Sequence, residues 1–190
     1  MKKLFNGRKQ LILCFLVVIF CLALSSFIHF VSSSYRKIPC ELCQVSFQSE
    51  PKSNWILIYP GLVGCGKKCP MALEALRQFR ERFPNTNFSF YFLITDPKES
   101  EEAISNYLKY YEVSLSIKAL RPQSESEIKM YRRLGAYLPE HPELKRRDEH
   151  GTQFFLIPPN RTEVYALPKL EEKDWIQIQS EIRSQSHMTL

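Results

Sequence analysis

No recognisable nucleic-acid module occurs in this chain, although a formal net charge of +6 would invite such a partner. The 26 Lys and Arg residues are scattered along the sequence, so a polynucleotide partner is set aside and the mild basicity is left for anionic lipid or an acidic protein. A long disordered tail is also lacking. At 44% hydrophobic, 13% aromatic and 24% charged residues, the 190-residue chain has the composition of a folded protein, with room for one membrane segment and one domain large enough to bury a core. A cleavage site is missing as well: no small-x-small pattern closes the apolar stretch at 11–31, and no small residue precedes Cys21 as lipid attachment would require. Both absences favour an uncleaved anchor over a removed leader.

That stretch reads LILCFLVVIFCLALSSFIHFV, 21 residues without a charge unless His29 is protonated, long enough to cross a bilayer as a helix. Lys2, Lys3, Arg8 and Lys9 precede it. The positive-inside rule then keeps the N-terminus in the cytoplasm and exports everything after Ser32. The short basic N-terminus fits a bacterial inner membrane, with the remainder in the periplasm, better than it fits a mitochondrial presequence. Cys14 and Cys21 share one face of this helix, and no chemistry is assigned to them. The expected organisation is a basic tip and anchor at 1–34, a polar linker at 35–54 and a folded domain at 55–190.

Chemistry concentrates at Gly64-Cys65-Gly66-Lys67-Lys68-Cys69-Pro70. The apolar run WILIY at 55–59 before it reads as a buried strand, and Ala72, Ala75, Leu76, Phe79 and Phe83 after it recur at the spacing of one helical face. Pro70 suits a first helical position, which puts Cys69 near the N-cap, where the helix dipole, aided by Lys67 and Lys68, favours a thiolate. A structural disulfide is the plainer reading of such a pair, and the strand-to-helix position argues for the reactive one. A second pair, Cys40 and Cys43, lies in the linker. Three readings of it stay open: a local disulfide, a metal or redox pair exchanging with the first, or half of a four-cysteine zinc site with Cys65 and Cys69.

Beyond Pro70 the hydrophobic period alternates. Strands are expected at 88–94, 113–120, 154–157 and 163–167, and helices at 99–111, 124–138 and 171–182, with the last two strands joined by a turn at 158–161. The order βαβαβαββα implies a mixed α/β sheet flanked by helices, with a parallel portion and an antiparallel edge. With a cysteine pair between the first strand and the first helix, this order resembles the thioredoxin fold. The resemblance implies that the loop entering the fourth main strand, Arg147-Asp148-Glu149-His150-Gly151, faces the cysteines and makes His150 a candidate ligand. Two thiolates and an imidazole form a soft donor set that suits copper(I) in a three-coordinate site and can also hold copper(II), whereas zinc would want a fourth ligand.

The runs LIYPGLVGCGKKCPMALEAL, FLITDPKESEEAISNYLKYY and DEHGTQFFLIPPN are similar to the Sco/SenC family of membrane-anchored copper proteins for cytochrome c oxidase assembly, over roughly 55–167. The resemblance implies copper ligands Cys65, Cys69 and His150, with Asp96 of the TDP segment as the acidic residue beside the site. It implies delivery of copper to the binuclear copper centre of cytochrome c oxidase, or reduction of that centre's cysteines, in exchange with other copper chaperones and thiol-disulfide reductants. Such a protein is a metallochaperone more than an enzyme. The alternative is a metal-independent thiol-disulfide oxidoreductase acting on exported proteins, in which Cys65 and Cys69 are the redox pair and His150 is dispensable. A peroxiredoxin-type peroxidase is disfavoured because Leu62 and Gly66, not Thr, stand three residues before the cysteines.

Overall fold

A computed structural model describes residues 14–22, 35–136, 138 and 153–186. Residues 14–22 are helical, and among the described residues no helix is long and apolar enough to cross a membrane. The chain divides into two compact units, Met1–Ser33 and Ser34–Leu190. The second unit is built in the order β1 (Arg36–Pro39), α1 (Cys43–Ser46), β2 (Trp55–Gly61), α2 (Lys68–Arg82), β3 (Phe88–Ile94), α3 (Glu101–Leu115), β4 (Lys118–Leu120), α4 (Glu125–Leu134), β5 (Phe154–Ile157), β6 (Glu163–Leu167) and α5 (Glu172–Ser186).

Six strands form one mixed sheet in the order β1-β6-β5-β2-β3-β4. β2, β3 and β4 are parallel, while β5 pairs antiparallel with β2 and β6 with β5. This is the arrangement expected of a thioredoxin-like domain. β2 is buried along its whole length, as a central strand covered on both faces must be. Its residues alternate between two cores. Trp55, Leu57 and Tyr59 pack with Leu73, Leu76 and Phe79 of α2, with α3 and with Ile178 of α5. Ile56 and Ile58 pack on the other face with Met130, Tyr131 and Leu134 of α4 and with Cys40, Cys43 and Phe47. Each fully buried side chain of this kind contributes about 1.5–3 kcal/mol.

Local chemistry sets the helix ends. Ser100 caps α3 by accepting the Ala103 N–H at 3.1 Å, and Ser124 caps α4 by accepting the Glu127 N–H at 3.2 Å, each supplying a partner for an otherwise unpaired donor. α4 stops at Leu134 instead of reaching 138 because Gly135 turns into the left-handed region at φ 98°. α3 runs on to Leu115, and β4 begins only at Lys118 instead of 113. Ile104, Leu108 and Leu115 keep the helical spacing and are buried, so the helical period outlasts the short alternation read as a strand.

The segment expected as a linker is folded into the domain. β1 pairs antiparallel with β6 and forms the edge of the sheet, and Cys40 and Cys43 are joined by a disulfide. Arg161, at the hairpin turn with φ 55°, is buried and donates to the carbonyls of Phe47 (2.6 Å), Glu50 (2.7 Å) and Pro51 (2.9 Å). Glu50, also buried, accepts from Ser89, Tyr91 and Lys118. Two charged side chains thus stitch residues 47–51 to the sheet: Glu50 is fully engaged, and Arg161 donates through both terminal nitrogens while its Nε is buried without a partner among the described residues.

Candidate metal centre

β2 and β3 are parallel and in register, with Gly61 opposite Ile94, so the chain leaves both strands at the same end. Thr95 ties the two exits together: its backbone N–H and its hydroxyl both donate to the Gly61 carbonyl, at 3.1 and 2.8 Å. Gly61 has no room for a side chain, because a Cβ would stand 2.2 Å from the ring of Phe92. The exit from β2 then closes a turn in which the Cys65 N–H donates to the Leu62 carbonyl at 3.2 Å. Gly64 occupies its third position at φ 77°, the left-handed conformation that such a turn reserves for glycine.

That turn delivers Cys65 to the start of α2. Cys65 is half-buried, and its Sγ accepts the Cys69 N–H at 3.5 Å. α2 begins at Lys68, so Cys69 is its second residue and Pro70 its third, each two positions further into the helix than expected. Pro70 still falls where a missing N–H costs nothing. The helix N-terminus therefore faces the sulfur of Cys65, not that of Cys69.

Cys69 is fully buried. Its sulfur lies 3.5 Å from the Leu62 nitrogen and 3.7 Å from the Leu62 oxygen, and accepts from the Tyr59 hydroxyl at 3.8 Å. Burial pushes its thiol up to about 12, against the pull of the Leu62 N–H, and the neighbouring Cys65 adds to the rise. The expectation of a thiolate at Cys69 from the helix dipole is thus corrected: desolvation outweighs the dipole, and Cys69 is a protonated thiol at neutral pH.

Two residues that the sequence reading did not assign to the site belong to its surroundings. Tyr59 covers Cys69, and burial, reinforced by Cys69, keeps its phenol well above the ordinary value. Burial, with smaller contributions from Cys69, Tyr111 and Cys65, raises the Tyr107 phenol above its ordinary value, and its hydroxyl is buried without a partner among the described residues. Their signal was present but ambiguous, because a Tyr at the end of a buried strand reads as core. The ring series Tyr59, Phe92, Tyr107, with centroids 6.1 and 5.7 Å apart, forms an aromatic wall behind the thiols.

Asp96 leaves β3 at the same end as the cysteine turn and is half-buried, its carboxylate accepting the Lys98 N–H at 2.9 Å. His150 lies outside the described residues. Among the described residues no group of three His, Cys, Asp or Glu that could hold a metal is assembled. Cys65 and Cys69 are in the dithiol form and share one core margin. As a donor pair they fit a soft metal such as copper. Cys40 and Cys43 pack into the core on the opposite face of the sheet and are already bonded to each other. This separation rules out a four-cysteine zinc site within one chain.

A family model described as SCO1/SenC matches residues 44–185. Solved structures share the fold. Copper-bound yeast Sco1 is 21% identical with a TM-score of 0.56, the match covering 68% of this chain and 76% of that one. Copper-bound ScoI of Arabidopsis thaliana is 19% identical with a TM-score of 0.54, covering 70% and 86%. BsSco, described as carrying a disulfide switch and as a member of the Sco family of cytochrome c oxidase assembly proteins, is 16% identical with a TM-score of 0.50, covering 72% and 82%. Among curated protein sequences no relative matches.

Proposed function

The chain belongs to the SCO1/SenC family, and from that premise we propose that it is a membrane-anchored copper protein that loads the binuclear copper site of cytochrome c oxidase. Residues 11–31 anchor it in a bacterial inner membrane and the domain works in the periplasm. Cys65, Cys69 and His150 hold one copper, with Asp96 beside the site. The observation that carries this reading is the dithiol itself: one half-exposed sulfur at a helix N-terminus and one buried sulfur behind it, at the mouth of a parallel strand pair.

The arrangement gives each cysteine a task. Cys65 meets incoming copper or a partner thiol, because it alone of the two is accessible. Cys69 completes the pair and gives up its proton as the metal binds, with the Tyr59 hydroxyl placed to donate to the resulting thiolate. Copper is the cargo here, and its release asks only that a stronger ligand set compete for it.

The same asymmetry supports a second reading, reduction of the oxidase's cysteines by thiol-disulfide exchange. There Cys65 attacks a partner disulfide and Cys69 resolves the mixed disulfide. Expression of full-length variants in host cells lacking the protein separates the two. Copper delivery predicts that Cys65→Ser, Cys69→Ser and His150→Ala each abolish cytochrome c oxidase activity. Retention of full activity by His150→Ala with loss in both cysteine variants overturns delivery in favour of exchange.

A further inference from the structure

The second cysteine pair lies beside a third sulfur. Cys40 Sγ is 3.5 Å from Met130 Sδ, and Cys40, Cys43 and Met130 belong to one buried cluster. Neither Cys40 Sγ nor Met130 Sδ carries a proton while the disulfide is intact, so this is a contact between lone-pair-bearing atoms. It is also reachable: Cys40 and Met130 line a groove of about 710 Å³ between β1 and α4. Four cations border that groove, Arg36, Lys37, Lys129 and Arg133, together with Glu41. Lys37 is paired with Glu181 at 2.8 Å, and Lys129 lies 3.9 Å from Glu125.

We propose that Cys40, Cys43 and Met130 form, when the disulfide is reduced, a three-sulfur site for a single copper(I) ion, separate from Cys65 and Cys69. A two-residue spacer is the spacing with which cysteine pairs bite a metal. Two thiolates and a thioether are the donors that select copper(I) over harder ions. The basic border suits the charge, since two thiolates around a monovalent ion leave a net charge of −1 that neighbouring cations stabilise. A leucine at 130 would fill the same space, but only methionine offers the groove a soft lone pair.

The step balances. A dithiol reductant gives two electrons and two protons to the Cys40–Cys43 bond, becoming a disulfide itself and leaving two thiols. Copper(I) then displaces both thiol protons as its two Cu–S bonds form, while Met130 adds as a neutral donor. No electron moves in the second step.

The site is independent of the proposed function, and its test removes Cys65 and Cys69. Residues 34–190 form one compact unit with their own cores, so the domain carrying Cys65→Ser and Cys69→Ser is the material. It is reduced with dithiothreitol, desalted without oxygen and titrated with copper(I) against a chromophoric copper(I) chelator. The expected result is one copper per chain in the reduced form and none in the oxidised form. Addition of Met130→Leu, close in volume and folded by circular dichroism, is expected to weaken binding tenfold or more and to remove one sulfur from the copper X-ray absorption spectrum. Absence of binding in the reduced domain, equal binding to the oxidised domain, unfolding on reduction, or indifference to Met130→Leu each overturns the proposal.

Discussion

Replacing Cys65 by serine leaves Cys69 as the sole thiol of its pair and exposes how strongly burial controls it. Cys69 has no accessible surface, and its ionisation is pushed from an ordinary value of 9.0 up to about 12, burial being the first cause. At the parent's value the thiol holds about a thousandth of the thiolate of an exposed cysteine at pH 8, while the greater nucleophilicity of a more basic thiolate returns about 20- to 30-fold; because Cys65 adds to the rise and is gone in this variant, the resulting slowing of about 30- to 60-fold, before access is counted, is an upper bound. Because the folded value lies above the unfolded one, this thiol favours the native state at pH below about 9, and that contribution is lost as pH rises towards 12. The assay is timed alkylation with iodoacetamide at pH 8 on the folded and the urea-unfolded Cys65→Ser domain, read by peptide mass spectrometry. Equal rates in the two states would refute the burial argument, and so would a native Cys69 that outpaces Cys65 in the parent domain.

Three further outcomes follow from the packing. Gly61→Ala drives a methyl group into the fully buried Phe92 ring, so thermal unfolding is expected to show a loss of about 1–3 kcal/mol; a change within about 0.5 kcal/mol contradicts the close approach. Burial alone would raise Glu50, but hydrogen bonds from Lys118, Ser89 and Tyr91 hold it at about 2. Its stabilisation is complete above about pH 4.5 and disappears as pH falls through 2, amounting to no more than about 3 kcal/mol. Denaturant unfolding between pH 6 and 2.5 should lose that slope in Glu50→Gln. Arg161→Ala strands the carbonyls of Phe47, Glu50 and Pro51 and is expected to cost about 2–4 kcal/mol. Amide exchange should then quicken in residues 47–51, and unchanged exchange there contradicts the stitching role.

The central strand, the helices around it and the strand-to-helix placement of the cysteines were legible because each rests on a local period. The run at 55–59 could only be a buried strand, and the helix expected from 124 does open at its Ser124 cap, whereas the one expected from 99 starts two residues later behind Ser100. Long-range partners were not legible. Arg161 looks like a turn residue until the fold brings it to carbonyls more than 100 positions away, and Glu50 looks like linker charge until Lys118 reaches it. β1 escaped notice because a four-residue edge strand that keeps its charged side chains exposed carries little hydrophobic signal. The burial of Cys69 did leave a trace: Cys69, Leu73 and Leu76 share one helical face and all three are buried, so the face that packs α2 against the sheet begins at the cysteine. The dipole argument, taken alone, overlooked that face.

Copper binding by the Cys65 and Cys69 pair is most directly tested by anaerobic copper(I) titration of reduced residues 34–190 carrying Cys40→Ser and Cys43→Ser, against a competing chelator. The account predicts one copper per chain, bound at least tenfold more weakly after His150→Ala and lost after Cys65→Ser with Cys69→Ser. Stoichiometric binding that survives loss of Cys65 and Cys69, or an affinity indifferent to His150, contradicts it.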